Sequence, residues 1–373
     1  MEEKRKIAFY LPKSIPISNV KLSEVFAVQF NSYQTDIINI QVTLRRRIGV
    51  WILNVLYTLI WYGIGILKHN KKLTDSFWRT PYIFKQVKIL AQKKHQANNY
   101  AFTFQVQSLF DCSAAGVPHF VYTDHTHLAN LNYPSFNPAR LYPPKWIDLE
   151  KTIYNNASMV FVRSSNIKRS LEQQYQLPPS KIERVYAGRN AEIQHVSTNK
   201  SRYQRQSILF VGIDWKRKGG PVLVEAFKIV QKNHPYATLT VVGCNPSTHV
   251  AGVKIKGHVP LEKLVEYYQE ASIFCMPTTE EPFGIAFLEA MAAGLPIIGT
   301  RVGAIPDFIS EGTNGFMVAP NNASALAGGL EKLLRDSARC QQFGLSSLEL
   351  VNRNYSWQSV CEKIQKHIFS KLN

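Results

Sequence analysis

The feature that most constrains this chain is a pair of glutamates eight positions apart, Glu281 and Glu289, joined by Pro-Phe-Gly-Ile-Ala-Phe-Leu. An alanine-rich segment follows and stops at Gly294 and Pro296, as is typical of the end of a helix. An apolar run at 272–277 precedes the pair, and an Ile-Ile step follows it. The pattern predicts strand, loop, helix and strand, which is the repeating unit of an open parallel sheet.

The loop of this unit has the chemistry of a phosphate site. In parallel sheets, ligands bind at the carboxyl ends of strands, where helices begin. The N–H groups of Phe283, Gly284 and Ile285 are expected there, beside the positive end of a helix dipole. A carboxylate can accept hydrogen bonds from sugar hydroxyls, so one of Glu281 and Glu289 suits a hexose and the other a ribose. The alternative of a capped surface helix fits two glutamates alone, but not the Pro-Phe-Gly bend and the alanine-rich continuation, so a nucleotide sugar is favoured.

The spacing and context of these glutamates resemble the Glu-x7-Glu signature of the retaining glycosyltransferases of family 4. The resemblance is strong over residues 207–357 and diffuse over residues 1–206, which fits a shared donor and a divergent acceptor. It implies an α/β protein of the GT-B fold, with two facing Rossmann-like domains and a cleft between them. It also implies a hexosyltransferase of glycan biosynthesis that uses a nucleotide diphosphate sugar as co-substrate, with no further cofactor and no metal. The hexose would go to a hydroxyl of a lipid-linked or polysaccharide precursor, with retention at the anomeric carbon.

A second loop adds the cations that a diphosphate requires. A strand-like segment ends at Gly212 and runs into Lys216-Arg217-Lys218-Gly219, and a helical pattern follows. Strand, basic glycine loop and helix together typically hold a diphosphate, although a solvated basic turn is the alternative. The resemblance places Gly212, Arg217 and Lys218 in the donor site, with Lys218 neutralising the departing diphosphate. Ile213 departs from the family, which commonly has an arginine there.

A polar cluster in the first half supplies the remaining candidates. Asp124-His125-Thr126-His127 follows an apolar strand-like run, at the position where chemistry usually lies in this architecture. The resemblance implies that Asp124 or His125 addresses the transferred sugar or the acceptor, and both stay open as candidates. A structural loop cap is the alternative. The His-x-His pair has no evident third ligand and does not predict a metal site.

The length of 373 residues fits two domains. We expect an acceptor-side Rossmann-like domain at 1–195 and a nucleotide-sugar-binding domain at 207–354. Residues 196–206 are polar without apolar periodicity and are predicted as a linker. By resemblance, residues 355–373 form a C-terminal helix that packs back on the first domain. After the first predicted strand, the segment 13–18 has no glycine, although the family often has a glycine-rich loop there.

The net charge of +18 lies mostly in the first half. Residues 1–200 hold 26 Lys and Arg against 12 Asp and Glu, and the remaining residues hold 18 against 14. Such a field attracts anionic membranes or nucleic acid. The sequence contains no helix-turn-helix, RNP or zinc-finger pattern, so an anionic membrane surface is the favoured partner and nucleic acid is not expected.

Residues 48–67 form an uncharged apolar run between Arg45-Arg46-Arg47 and Lys68. The run is long enough to cross a membrane, yet a crossing there would split a Rossmann-like domain. Asn54, Thr58 and Trp61 or Tyr62 share one helical face, and tryptophan and tyrosine favour the headgroup zone. Interfacial docking, a true span and an ordinary buried helix therefore remain as alternatives, with docking preferred.

The five cysteines are scattered, and the N-terminal residues show no signal-peptide pattern. We therefore expect a cytoplasmic protein, peripheral on the cytoplasmic face of the membrane. The rival interpretations are a catalytically silent, membrane-associated nucleotide-sugar-binding protein and a GT-B epimerase or phosphorylase. Ile213 and the missing N-terminal glycine loop favour the silent binder, because each weakens one phosphate contact.

Overall fold

The computed structural model describes residues 4–12, 17–68, 70–191, 193 and 196–372. Most of the glycine-free segment after the first strand, and the predicted domain boundary at residue 195, therefore lie outside the described residues. The chain divides into two compact units. The first unit comprises 1–132, 136–186 and 357–373, and the second comprises 133–135 and 187–356.

Short apolar runs form the strands, as their β-branched and aromatic composition favours. In chain order the strands are β1 Lys6–Leu11, β2 Gln34–Asn39, β3 Phe102–Val106, β4 His119–Thr123, β5 Met159–Val162, β6 Ile182–Arg184, β7 Ser207–Val211, β8 Thr238–Val242, β9 Val253–Gly257, β10 Ile273–Met276, β11 Ile297–Thr300 and β12 Gly315–Val318.

Helices connect these strands. In chain order they are α1 Ile17–Gln29, α2 Ile40–Arg45, α3 Ile48–Leu67, α4 Leu73–Phe77, α5 Pro81–Asn98, α6 Pro144–Asn156, α7 Ser165–Gln173, α8 Lys200–Tyr203, α9 Gly220–Gln231, α10 Leu261–Glu270, α11 Ile285–Ala292, α12 Ala323–Leu334, α13 Ser337–Asn354 and α14 Trp357–Leu372.

Each unit contains one sheet of six parallel strands among the described residues. The order is β2-β1-β3-β4-β5-β6 in the first unit and β12-β11-β10-β7-β8-β9 in the second. Central strands such as β10 are buried along their whole length, which is expected where helices cover both faces of a parallel sheet. The predicted α/β class is confirmed.

The strand order of the second unit places its two predicted phosphate loops side by side. From β7 the chain proceeds to β8 and β9 on one side, and then returns to β10 on the other side of β7. Ile208 of β7 is paired with Ile273 of β10. The loops that follow β7 and β10 therefore flank the point where the winding direction reverses, which is where open α/β sheets bind ligands.

Two segments differ from their predicted structure. The sequence at 34–45 predicts a second strand region, but only 34–39 form a strand. Helix α2 begins after Asn39, whose side-chain oxygen accepts from the backbone N–H of Val42 at 3.1 Å. The predicted linker at 196–206 contains α8 and belongs to the second unit.

A buried arginine explains why the segment 196–206 is ordered. The guanidinium of Arg202 is 2% exposed and donates to four backbone carbonyls, those of Ser197, Tyr268, Ala271 and Ala293. Its pKa is lowered by burial. A single charged residue in a polar stretch produces no apolar periodicity, so the sequence pattern could not indicate that the Arg202 side chain is buried.

The C-terminal helix α14 packs against α1 within the first unit. Gln29 and Gln365 exchange hydrogen bonds of 2.7 and 2.6 Å, and the rings of Phe30 and Phe369 meet edge to face at 5.8 Å. The last helix of the chain therefore completes the core of the first unit.

Helix α3 presents its polar side chains to the protein and its apolar side chains to solvent. Asn54, Thr58 and Tyr62 are its buried residues. Asn54 donates to the carbonyl of Phe77 at 2.6 Å, and Tyr62 donates to that of Arg79 at 2.6 Å. Most of the apolar residues of α3 are exposed, which excludes the buried-helix alternative. By length and composition alone, α3 is also the one helix of the described residues that could cross a membrane.

Candidate functional site

The structure brings together Lys218 and Glu281, which lie 63 positions apart in the sequence. Lys218 lies in the loop after β7, and its Nζ donates to Oε2 of Glu281 in the loop after β10. The two side chains are 12% and 6% exposed. A lysine and a carboxylate at this edge of the sheet can contact the phosphates and the hydroxyls of one ligand.

Hydrogen bonds between the two loops hold them together. The carbonyl of Arg217 accepts from the N–H of Thr279 at 2.9 Å, and the Nη1 of Arg217 donates to the carbonyl of Glu280 at 2.8 Å. The Nε of Arg217 also lies 3.5 Å from the Oδ2 of Asp214. The neighbouring Lys216 is exposed. In this structure the Arg217 side chain therefore ties the loops together, and its predicted contact with the diphosphate stays a prediction.

Glycines make this close approach possible. Gly219 has a φ of +76°, and a Cβ at that position would overlap the carbonyl oxygen of Pro277. A Cβ on Gly212 would lie 3.0 Å from the Cγ of Lys218, so Gly212 leaves room for the lysine stem. A side chain at Gly219 would therefore push the β7 loop away from the β10 loop, whereas one at Gly212 would crowd Lys218 within the β7 loop itself.

The start of α11 carries unpaired backbone donors. Gly284 precedes the helix with a φ of +97°, which turns the chain sharply after Phe283. Within the described residues, the N–H groups of Phe283, Gly284 and Ile285 donate to no backbone carbonyl. Together with the helix dipole, these donors form an anion site a few residues from Glu281.

Glu289 lies further along the same helix and is buried. Its Oε2 accepts from the hydroxyl of Tyr268 at 3.1 Å. This contact fixes the carboxylate at the second turn of α11. The predicted role of Glu289 in binding the ribose stays a prediction.

The first unit contains a polar cavity of about 190 Å³ at the ends of β3 and β4. Asp124 and His125, the two candidates from the sequence, both line it. His127 of the same predicted polar cluster and Thr123 just before it also line the cavity. Sequence reasoning missed the rest of the lining, which comes from segments further away: Arg79, Gln107, Ser108, Leu109, Trp146 and Glu150.

A buried carboxylate organises one wall of this cavity. Glu150 accepts from the N–H of His127 at 3.0 and 3.2 Å, from the hydroxyl of Tyr154 at 3.0 Å and from the hydroxyl of Tyr175. Burial raises the pKa of Glu150 to about 7, while these hydrogen bonds act to lower it. Glu150 therefore holds the turn that carries His127.

The hydrogen bonds of the two histidines indicate their tautomers. The Nε2 of His127 accepts from the N–H of Tyr142 at 2.7 Å, so it is unprotonated. The Nε2 of His125 is 3.2 Å from the side-chain amide of Asn130, which leaves the proton on Nδ1. Burial lowers the pKa of His125 to about 4 and that of His127 to about 3, so both rings are neutral near pH 7.

Asp124 has a different partner. Its Oδ2 lies 3.4 Å from the Nη1 of Arg163, which is buried beneath the tyrosine ring of Tyr122 at 4.8 Å. The structure thus gives Asp124 a paired charge, and it gives His125 a neutral donor. Either arrangement is compatible with contact to a sugar, so the choice between them stays open.

Comparison with known proteins decides the class. Residues 71–193 match the family described as Glycosyltransferase Family 4, and residues 205–336 match Glycosyl transferases group 1. The chain carries two glycosyltransferase domains. The boundaries of the second match enclose Lys218, Glu281 and Glu289, and those of the first enclose the cavity.

A curated relative and two solved structures extend this result. The D-inositol 3-phosphate glycosyltransferase of Corynebacterium diphtheriae is 26% identical over 243 residues, or 58% of this chain and 57% of the relative. The chain thus spans little more than half the length of that relative. Sucrose-phosphate synthase from Thermosynechococcus elongatus superposes with a TM-score of 0.68 at 16% identity, covering 98% of each chain. Anabaena Alr3699/HepE, in complex with UDP and glucose, superposes with a TM-score of 0.61 at 14% identity, covering 98% of this chain and 100% of that chain.

The solved structures confirm the predicted GT-B fold, and both family models that match the chain are glycosyltransferase families. The residues around the cavity carried no comparable signal, because Arg79 lies in the short segment between α4 and α5, whereas Trp146 and Glu150 lie in α6.

Proposed function

We propose that this glycosyltransferase moves a hexose from a nucleotide diphosphate sugar to a hydroxyl of a lipid-linked or polysaccharide precursor, with retention at the anomeric carbon. The observation that carries the proposal is the pairing of Lys218 with Glu281 beside the unpaired N–H groups at the start of α11. In the donor complex Lys218 and these amides stabilise the charge that develops on the leaving diphosphate. Glu281 then positions the hexose, and Glu289 binds the ribose.

Nucleotide release tests the proposal directly. UDP-glucose is the first donor to examine, because UDP and glucose occupy one of the structural neighbours. We expect release of the nucleotide diphosphate only when an acceptor is present. Lipid-linked and soluble acceptors should be compared side by side, since they distinguish the two precursor classes.

The neighbouring glutamates provide a matched pair of variants. Glu281→Gln removes the charge that pairs with Lys218. Glu280→Gln removes the charge of the adjacent residue, which contacts Arg217 through its backbone carbonyl and not through its side chain. We expect Glu281→Gln to lose at least about 100-fold in turnover, on the scale of one electrostatic catalytic contact. Near-wild-type turnover of Glu281→Gln with every donor that the parent uses would contradict the assignment.

The rival functions predict different outcomes in the same assay. A silent binding protein would bind the nucleotide sugar without releasing the nucleotide under any acceptor condition. An epimerase would convert or consume its donor without an acceptor. Release that depends on the acceptor supports the transferase over both.

We also propose that α3 lies in the interface of an anionic membrane, which makes the protein peripheral on the cytoplasmic face. Isoleucines such as Ile60 and Ile64 are more than 70% exposed, and arginines and lysines flank the helix at both ends. Apolar side chains flanked by bases match the acyl boundary and the anionic headgroups of such a surface. The hydrogen bonds of Asn54 and Tyr62 to the chain at 77–79 tie the other face to the folded unit, which favours docking over a span.

A further inference from the structure

Glu150 of α6 holds the loop 124–128, which carries both sugar-contact candidates. The two carboxylate oxygens of Glu150 accept from the N–H of His127 at 3.0 and 3.2 Å. Oε2 also accepts from the hydroxyl of Tyr175, and the oxygen of that hydroxyl accepts from the N–H of Leu128 at 3.2 Å. A single carboxylate therefore fixes two successive amides of the loop, one directly and one through a hydroxyl.

A second connection runs from Glu150 to the carbonyl of His125, on the other side of the loop. The hydroxyl of Tyr154 donates to Oε1 of Glu150 at 3.0 Å and shares a hydrogen bond with the hydroxyl of Ser108. The Ser108 hydroxyl also lies 3.1 Å from the carbonyl oxygen of His125. Ser108 has one proton for these two acceptors, so the direction in which Tyr154 points its own proton decides where the Ser108 proton goes.

The ionisation state of Glu150 sets the direction of these hydrogen bonds. All four of its contacts come from donors, which fits a carboxylate, because an ionised carboxyl group only accepts. A neutral acid has a proton to donate, and the N–H of His127 cannot accept it. A tyrosine hydroxyl then has to turn, and Tyr154 can turn its proton to Ser108. Protonation therefore weakens the contact with His127, since one of the two oxygens becomes a hydroxyl, and rearranges the hydrogen bond to the His125 carbonyl.

We infer that Glu150 is a positioning residue for glycosyl transfer: its carboxylate holds Asp124 and His125 where the reaction needs them, and its neutral form releases that hold. The inference rests on the proposed function and deepens it, because it adds control of the same site by a proton. The hold of Glu150 on the loop does not itself depend on the transfer reaction, so it can be measured without turnover.

Opposing effects bring the protonation of Glu150 into the neutral pH range. Burial raises its pKa to about 7, while its hydrogen bonds and the positive charge of Arg79 act to lower it. The side chain is 3% exposed, so water does not replace these donors when one of them turns away. Desolvation thus makes the carboxylate costly, and the four donors determine what it holds when it forms.

The titratable side chains around Glu150 do not share this transition. His125 and His127 are neutral near pH 7, because burial lowers their pKa values to about 4 and about 3. Burial also raises the pKa values of the tyrosines around the carboxylate, so they stay protonated: Tyr142, Tyr154 and Tyr175. In the described part of the chain, further charges near the buried face of α6 are those of Lys71 and of two ion pairs, Asp124 with Arg163 and Lys88 with Asp111.

An amide signal in the intact chain tests the hold directly. The chain has ten histidines, so 15N-histidine labelling yields few signals, and His127→Gln identifies the one from His127. We expect the His127 amide signal to move with pH in the wild type, with a midpoint near pH 7, because its acceptor loses charge when Glu150 is protonated. The signal should not move in Glu150→Gln, which keeps the shape of the neutral acid at every pH.

Turnover tests the consequence for the reaction. Nucleotide release from UDP-glucose, with the acceptor that supports it, should rise through the same midpoint in the wild type. We expect Glu150→Gln to show no such rise and to turn over about tenfold more slowly than the wild type at pH 8, on the scale of a lost hydrogen bond to a charged group. Asp148→Asn removes an exposed carboxylate from the same helix and should follow the wild type.

A second variant covers the possibility that Glu150→Gln does not fold. Tyr154→Phe retains the ring and removes one of the hydrogen bonds that lower the pKa of Glu150. We therefore expect the midpoints of both titrations to move to higher pH in Tyr154→Phe. A merely structural role of the tyrosine would change stability and leave these midpoints in place.

Three results overturn the inference: a His127 signal that does not move between pH 6 and pH 8, the same pH profile of turnover in Glu150→Gln and the wild type, and unchanged midpoints in Tyr154→Phe. Acceptor-dependent release together with any of these results leaves the proposed transfer standing and removes the role of Glu150. If the His127 signal titrates through Glu150 but no acceptor supports nucleotide release, Glu150 holds the loop as inferred and the proposed function fails.

Discussion

The Nζ of Lys218 donates to Oε2 of Glu281 across 63 positions of the chain, and neither side chain is more than 12% exposed. A buried ion pair is costly to break from one side, because the remaining charge then has neither water nor a partner. The pair therefore links the stability of the second unit to the geometry of its proposed donor site.

A double-mutant cycle measures this link. We expect Lys218→Met to lower the free energy of unfolding by about 3–5 kcal/mol, and the double variant Lys218→Met/Glu281→Gln to lower it by less than Lys218→Met alone. Urea denaturation followed by circular dichroism provides the measurement. Lys216→Met, at an exposed lysine of the same loop, serves as the control and is expected to change stability little. If the effects of Lys218→Met and Glu281→Gln on the free energy of unfolding add up to the effect of the double variant, the two side chains are not energetically coupled.

The glycine at position 219 offers a test of the close approach between the two phosphate loops. Gly219→Ala combines an unfavourable φ of +76° with overlap on the carbonyl oxygen of Pro277. Gly312→Ala has nearly the same φ, +75°, but no atom within 4 Å of its Cβ. We expect Gly312→Ala to cost about 1–2 kcal/mol from its backbone conformation alone, and Gly219→Ala to cost clearly more. Equal melting temperatures for the two variants would show that the overlap is relieved elsewhere.

The buried Glu150 predicts a pH dependence of stability. Because its folded-state pKa is raised to about 7, the native state binds more protons than the unfolded state between about pH 4.5 and 7. Its contribution is therefore greatest at low pH and is lost as the pH rises through 7. At about 1.4 kcal/mol per pKa unit, the loss amounts to about 3 kcal/mol.

Comparison with Glu150→Gln isolates this term. The buried histidines of the same unit have lowered pKa values, so the protein loses the stability that they contribute as the pH falls below 6.5, opposite to the effect of Glu150. Both proteins contain these histidines, so their contribution cancels in the comparison. We expect the wild type to lose stability relative to Glu150→Gln between pH 5 and pH 8 in urea titrations. Glu24→Gln, at an exposed glutamate of the same unit, serves as the matched control. A pH-independent difference between wild type and Glu150→Gln would contradict the raised pKa.

Membrane docking through α3 predicts a loss of vesicle binding when its apolar face becomes charged. Ile60→Glu/Ile64→Glu should reduce co-sedimentation with phosphatidylserine vesicles at least tenfold, because each isoleucine contributes about 1.5–3 kcal/mol when buried. Val28→Glu alters another exposed apolar residue, on α1, and should bind as wild type. Raising the salt concentration should weaken the wild type, since the flanking bases attract the anionic headgroups. Undiminished binding of the double variant would exclude α3 as the docking surface.

The polar face of α3 separates docking from spanning. Asn54→Leu makes the helix more apolar, and so more suited to cross a bilayer, yet it removes the hydrogen bonds to Phe77 and Thr80. We expect it to destabilise the first unit by about 1–3 kcal/mol, the cost of leaving buried polar groups unpaired. Val55→Leu, on the exposed side, should be nearly neutral. A stabilised Asn54→Leu protein would argue for a helix that leaves the folded unit.

The sequence predicted the second unit better than the first for a physical reason. Lys218 and Glu281 each lie within a few residues of a strand end and a glycine, so local patterns alone placed them at the same edge of a parallel sheet. The residues of the cavity, in contrast, come from α6 and from the loops after α4, β3 and β4. Nothing in the local sequence around Arg79 or Trp146 shows that they will meet.

The same limit applied to residues 196–206 and 48–67. Polar composition suggested a linker, although burial of the Arg202 guanidinium depends on three carbonyls that are distant in sequence. For α3, the spacing of Asn54 and Thr58 on one face was visible, but the partners of the Asn54 side chain at Phe77 and Thr80 were not. In both cases the deciding hydrogen bonds are tertiary.

The buried guanidinium of Arg202 has a practical consequence for dissecting the chain. A recombinant fragment that starts at β7 would lack this side chain, and three carbonyls, those of Tyr268, Ala271 and Ala293, would lose their donor in the protein interior. Separate expression of the second unit should therefore begin upstream of Ser197, so that the arginine and all four of its carbonyl acceptors are included.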